Sequence, residues 1–167
     1  MVSSLNRIIY ALKLNIRTFL LAAILTIFST TLYAHMGATG IVKERMDSMS
    51  EMGDALGAMA DMIKRKRPFD PVLVRESTLV IERHANKLLE HFPDTEDSRS
   101  SKESDALPAI WESWDQFTLR SGRLEDEIRA FKQVTAGDFD VQQLKKEFRK
   151  VVKTCSTCHD DFRRPKD

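Results

Sequence analysis

Apolar residues recur at alternating steps of three and four through four separate stretches of the chain. The first runs Val42, Arg45, Met49, Met52, Leu56, Met59 and Ile63, with one charge set into it. The second is Val74, Thr78, Ile81, Ala85, Leu88 and Phe92. The third comprises Leu107, Ile110, Trp114, Phe117, Ser121, Leu124, Ile128 and Phe131, and the fourth Val141, Leu144, Phe148, Val151, Cys155, Cys158 and Phe162. Such a repeat marks helices packed side by side in a bundle. The breaks fall where helices should stop. Pro68 and Pro71 part the first pair, and Pro93 opens a polar stretch reaching Asp105. Gly137 and Asp138 precede the fourth helix, with Asp138 or Asp140 as its N-cap. No stretch alternates polarity as a strand would. The first and third connections are short, which favours antiparallel neighbours. The second, from Pro93 to Leu107, is rich in Ser, Asp and Glu and reads as a solvated loop. The expected fold is all-α, an antiparallel up-down-up-down four-helix bundle.

Ahead of these helices, residues 1–34 have the make-up of a cleaved secretory signal. Arg7, Lys13 and Arg17 supply positive charge with no acidic residue, Phe19 to Phe28 is apolar but for Thr26, and a cut after Ala34 is expected. Retention as an anchor is the alternative, but the stretch from Thr18 to Tyr33 is short for a bilayer span, which needs about 20 apolar residues. Residues 35–167 then form one domain. Its charge changes sign relative to the whole chain. The leader holds three of the 26 basic residues and none of the 25 acidic ones, leaving 23 against 25. A net negative domain argues against a nucleic-acid partner.

The chemistry is concentrated near the carboxyl end, in Cys155-Ser-Thr-Cys158-His159. Cys-x-x-Cys-His is the attachment pattern for c-type haem, with two thiols to add across the vinyl groups and an imidazole to ligate iron. On a helix the two cysteines lie one turn apart on one face. Other uses of two cysteines fit less well. A thioredoxin-like pair would follow a strand. A structural zinc site needs four ligands, and the chain has no other cysteine and only His35, His84 and His91 besides. A disulfide would not need the histidine. Because bacterial c-type haem is attached after export, leader and motif together point to the periplasm. No hydrolytic constellation, phosphate loop or paired-carboxylate site emerges, and enzymatic activity is not expected.

The domain resembles the cytochrome c′/cytochrome c556 family over essentially its whole length. The resemblance rests on Gly40-Ile-Val-Lys-Glu-Arg45-Met-Asp-Ser-Met49, on Leu88-Leu-Glu-His-Phe92-Pro93, and on Pro108-Ala-Ile-Trp111-Glu-Ser-Trp114-Asp-Gln-Phe117. Cys155 to Arg163 at the chain end completes it, where mitochondrial-type cytochromes c attach haem near the start. The family implies thioether links at Cys155 and Cys158 and the proximal iron ligand at His159. It implies that Arg45 lies near a haem propionate, which would explain a charge on an apolar seam. Arg163 is expected near the proximal side or in solvent.

Met49, four residues after Arg45, falls at the position that faces the distal side of the iron in the family. In the cytochrome c556 branch a methionine here is the sixth ligand, and Met–His ligation suits electron transfer. In cytochromes c′ the position usually carries a non-ligating side chain, and the open iron binds small gases, notably nitric oxide. The expectation is a periplasmic mono-haem electron carrier with His159 and Met49 as axial ligands and periplasmic redox proteins as partners. The alternative is a five-coordinate protein binding nitric oxide or carbon monoxide. Met52, one turn further along the same seam, is the rival to Met49, and the other methionines of the first helix, Met46, Met59 and Met62, are expected to be packing residues. His84 and His91 are expected half-buried or solvated on one face of the second helix, Trp114 in the core or against the haem, and Trp111 more peripheral. The resemblance also implies a possible homodimer through the first two helices.

Overall fold

Each of the four seams becomes a long helix in the computed structural model, which describes residues 38–100 and 102–165. The leader 1–34, its cleavage point and His35 lie outside the described residues. Helix α1 spans Gly40–Ile63 and α2 Pro71–Ala85, followed by a 3-10 turn at Leu88–His91. Two short helices, α3 (Glu96–Ser100) and α4 (Ala109–Glu112), lie in the long connection and at its end. Helices α5 (Trp114–Ala136) and α6 (Val141–Phe162) complete the bundle. No helix among the described residues is long and apolar enough to cross a membrane.

The four long helices form an up-down-up-down ring, α1 against α2, α2 against α5, α5 against α6, and α6 back against α1. Pairs between helices show the antiparallel sense. Arg75 at the start of α2 donates to the carbonyls of Thr135 and Gly137 at the end of α5. Arg120 near the start of α5 meets Asp161 at the end of α6, 2.7 Å apart. Met59, Val74, Ile128, Phe131, Leu144 and Val151 are completely buried and form the middle of the core. The helix starts follow local chemistry. Asp70 accepts from the N–H groups of Val72 and Leu73 ahead of a proline at the first helical position. Asp140, rather than Asp138, caps α6, and the Gln143 side chain reaches back to its N–H to close a capping box.

Several expectations need correction. Trp111 is the buried tryptophan, at 9 % exposure, and Trp114 is 38 % exposed. The cause is backbone: Ser113, at φ −128° and ψ 48°, separates α4 from α5, so the heptad phase does not run through it. The first seam ends on Met62 (2 % exposed) rather than Ile63. The second ends as a helix at Ala85 and carries on through the 3-10 turn to buried Leu88 and Phe92, so His84 and His91 do not share a helix face. The long connection is only partly solvated, because Ser98 and Ser104 within it are buried.

Candidate functional site

Between Val151 and Phe162 the inner face of α6 holds no fully buried residue, although the seam continues through Cys155 and Cys158. Both cysteines are free thiols, half-buried, and pack against the apolar core, as do the half-buried Met49 and Leu56 of α1 and Phe148 of α6. Burial raises both thiol pKa values, that of Cys158 to about 11. The thiols are therefore protonated at neutral pH. His159, one residue further, is also half-buried; burial, with a smaller contribution from the Arg163 charge, lowers its pKa. A neutral imidazole with a lone pair to offer is the form a metal requires.

The end of α6 is held in place by the connection that precedes α4. The Leu107 N–H donates to the Phe162 carbonyl (3.0 Å) and the Arg164 N–H to that of Asp105 (2.8 Å). Arg163 pairs with Asp105 at 3.2 Å, so it faces this connection. Phe162 stands edge-on to Phe117, centroids 5.3 Å apart, and Phe117 in turn to Phe92 at 4.8 Å. The motif therefore sits at the bundle end where α1 begins, α2 ends and the long connection crosses.

Arg45 is 5 % exposed at that same end. Its Nε donates to the His91 carbonyl (3.0 Å), Nη1 to Ser104 Oγ (3.0 Å) and Nη2 to Ser98 Oγ (2.6 Å), with longer bonds to the Ser98 carbonyl. Its guanidinium also lies over the Phe92 ring, 4.2 Å from the centroid. Every one of these acceptors is neutral, and among the described residues Arg45 has no carboxylate partner. Burial alone lowers its pKa to about 10. Trp111 Nε1 closes the cluster by donating to the Phe92 carbonyl at 3.1 Å. The serine contacts could not be read from spacing, because they come from a stretch with no periodicity.

Two buried polar atoms have no partner among the described residues, His91 Nδ1 and Ser121 Oγ. The carbonyl of His91 already holds Arg45, and Ser121 follows the arginine that bridges to α6. A buried cation without a countercharge, two protonated thiols, a neutral imidazole and two unpaired polar atoms fit a flat, anionic, metal-bearing group anchored at Cys155 and Cys158. A covalent haem meets that description. Of the residues expected to hold it, Arg45, Cys155, Cys158 and His159 lie at this end of the bundle, and Met49 is one turn further along α1 from Arg45.

A different cluster resembles a hydrolytic site that the spacing did not reveal. Ser48 Oγ lies 3.0 Å from His84 Nδ1, and His84 Nε2 lies 2.8 Å from Glu51 Oε2. Ser48 is only 2 % exposed, which closes its hydroxyl to a substrate. The chain of bonds ties α1 to α2, and its hydrogen bond to His84 holds the Glu51 carboxyl below its ordinary pKa.

The cytochrome c′ family model matches residues 40–163. Cytochrome c′ of Rhodopseudomonas palustris is 31 % identical over 128 residues, covering 77 % of this chain and 84 % of that protein. Cytochrome c-556 of Agrobacterium fabrum is 29 % identical over 127 residues, covering 75 % and 82 %. A solved structure of the Rhodopseudomonas palustris cytochrome c′ superposes with a TM-score of 0.70 at 31 % identity, covering 78 % of this chain and all of that one.

Proposed function

The chain belongs to the cytochrome c′ family, which binds one covalent haem c, and from that membership we propose a periplasmic protein whose iron is ligated by His159 and open on its other face to a neutral diatomic gas such as nitric oxide or carbon monoxide. The observation that carries this reading is the chemistry of the α1 seam packed against α6. Met49, Met52 and Leu56 offer no hydrogen-bond donor. The polar neighbours are engaged elsewhere, Arg45 with the long connection and Ser48 with His84. Distal polarity and donors decide which ligand is favoured, and oxygen, which gains negative charge on iron, profits most from a donor. A donor-free face suits ligands that stay nearly neutral.

When bound, haem supplies an iron that exchanges electrons and takes up small ligands. The chain's own residues do the rest. Cys155 and Cys158 each contribute a thiol for a thioether link, one helical turn apart. His159, kept neutral by burial, presents its lone pair to the metal. Arg45 provides the charge that a propionate needs, in an interior where an unpaired anion would be costly. Met49 would screen the distal side with an unbranched side chain that can swing aside. Proteins of this family are haem proteins rather than classical enzymes, and none of these roles makes or breaks bonds in a substrate.

A second reading has a specific feature in its favour. Met49 is half-buried on the α1 seam, and a thioether there could take the sixth position, which suits an electron carrier passing electrons to periplasmic redox proteins. The 29 % identical cytochrome c-556 is consistent with it. The ferrous spectrum decides. High-spin bands that shift on adding carbon monoxide, and that Met49→Ala leaves in place, are expected. Low-spin bands indifferent to carbon monoxide, made responsive by Met49→Ala, would establish the carrier instead.

A further inference from the structure

At the opposite end of the bundle from the cysteines, a cleft of about 650 Å³ opens between the α1–α2 connection and the first turns of α6. Its rim carries Arg65, Lys66, Arg67 and Lys145, and its floor includes Met62 and Phe69. Among the described residues no carboxylate lines it. The cations contrast with the paired ones on the surface. Lys43, Arg83, Arg99, Arg120, Arg129, Lys132, Lys150 and Arg163 all sit in ion pairs, whereas none of the four rim cations does. The nearby Asp70 and Asp140 carboxylates accept backbone N–H groups as helix caps. The backbone also departs from its easiest course here. Arg65 adopts φ +59°, the left-handed conformation that closes a helix and favours glycine. A basic side chain stands where glycine would be less strained, and the turn aims three successive cations outward.

We propose that this cleft binds an anionic lipid, with its phosphate on the rim cations and the start of its acyl chains on the floor beside Phe69. Free phosphate would use the charge but not the floor. A neutral lipid would use the floor and leave four like charges crowded together. The edge-to-face pair of Phe69 and Phe139, centroids 5.6 Å apart, gives the apolar wall a fixed shape. The site is independent of the haem end, so gas binding and lipid binding are expected not to affect each other.

The test is calorimetric titration of the haem-loaded protein with soluble dihexanoyl-phosphatidylglycerol. Dihexanoyl-phosphatidylcholine and inorganic phosphate are titrated in parallel. Saturable binding of the anionic lipid, with both controls much weaker, is expected. An exposed ion pair strengthens binding by up to about fivefold, so Lys66→Gln/Arg67→Gln together should weaken it several-fold, to a ceiling of about 25-fold. The charge-matched pair Lys87→Gln/Arg123→Gln, away from the cleft, should leave it unchanged. Thermal melts of both variants check that they fold. The proposal is overturned if phosphatidylglycerol does not bind, if phosphatidylcholine or phosphate binds as tightly, or if the two variants lose affinity equally.

Discussion

Replacing Arg45 by methionine tests how the buried guanidinium holds the end of the bundle. The change keeps an unbranched apolar stem and removes three bonds of 3.0 Å or less, to the His91 carbonyl and the Ser98 and Ser104 hydroxyls. Bonds from a charged donor contribute roughly 1.5–2 kcal/mol each; the two at 3.4 Å to the Ser98 carbonyl are too long to count for much. Against them stands the cost of burying the cation. The fall in its pKa to about 10 corresponds to roughly 3 kcal/mol. The balance is a loss of about 2 kcal/mol from these contacts alone; urea unfolding of the haem-loaded protein, where pairing with a propionate adds to the worth of the charge, should show at least that loss. The loss should also be local, because both serines belong to the connection between Pro93 and Leu107. Trypsin provides the assay: Arg99 and Lys102 are exposed in that connection, and cleavage there should accelerate in the variant. Arg45→Lys, which keeps the charge but not the fork, should fall between. A methionine variant within about 0.5 kcal/mol of the parent, cut by trypsin no faster, would refute the reasoning.

Three other outcomes follow from the same structure. Trp111→Phe removes the Nε1–H that serves the Phe92 carbonyl and should cost about 1–2 kcal/mol in thermal unfolding, whereas exposed Trp114→Phe should stay within about 0.5 kcal/mol. Asp140→Ala breaks the capping box and should cost about 1 kcal/mol, and Asp138→Ala next to it almost nothing; equal effects would contradict the assignment of the cap. In the haem-free protein, alkylation of Cys158 should be slow at pH 8 and rise as pH approaches about 11, because burial disfavours the thiolate. Fast alkylation at pH 8, followed by mass spectrometry, would show that the thiol is not held as described.

Cys155, Cys158 and His159 stood out in the sequence, because attachment chemistry demands fixed residue types at fixed spacing and a helix turns that spacing into geometry. The four helices were legible for a similar reason. Each seam depends on a repeat within one element, and the Pro and Gly punctuation is local chemistry. Met49 and Arg45 were singled out by register and resemblance, and the structure brings Arg45 to the end that bears the motif. Register could not reveal that the long connection supplies Ser98 and Ser104 to Arg45.

What the chain determined by itself was therefore everything that repeats or is spaced within a single helix: the bundle, its order and the attachment motif. Tertiary structure alone decided which tryptophan is inside, since the backbone break at Ser113 resets the phase by an amount no heptad count contains. It alone decided what satisfies the buried cation, and it placed Lys145 against the basic turn that follows α1. Such pairings join residues tens of positions apart. They depend on how helices and connections stack in space, a property that no local pattern of side chains encodes.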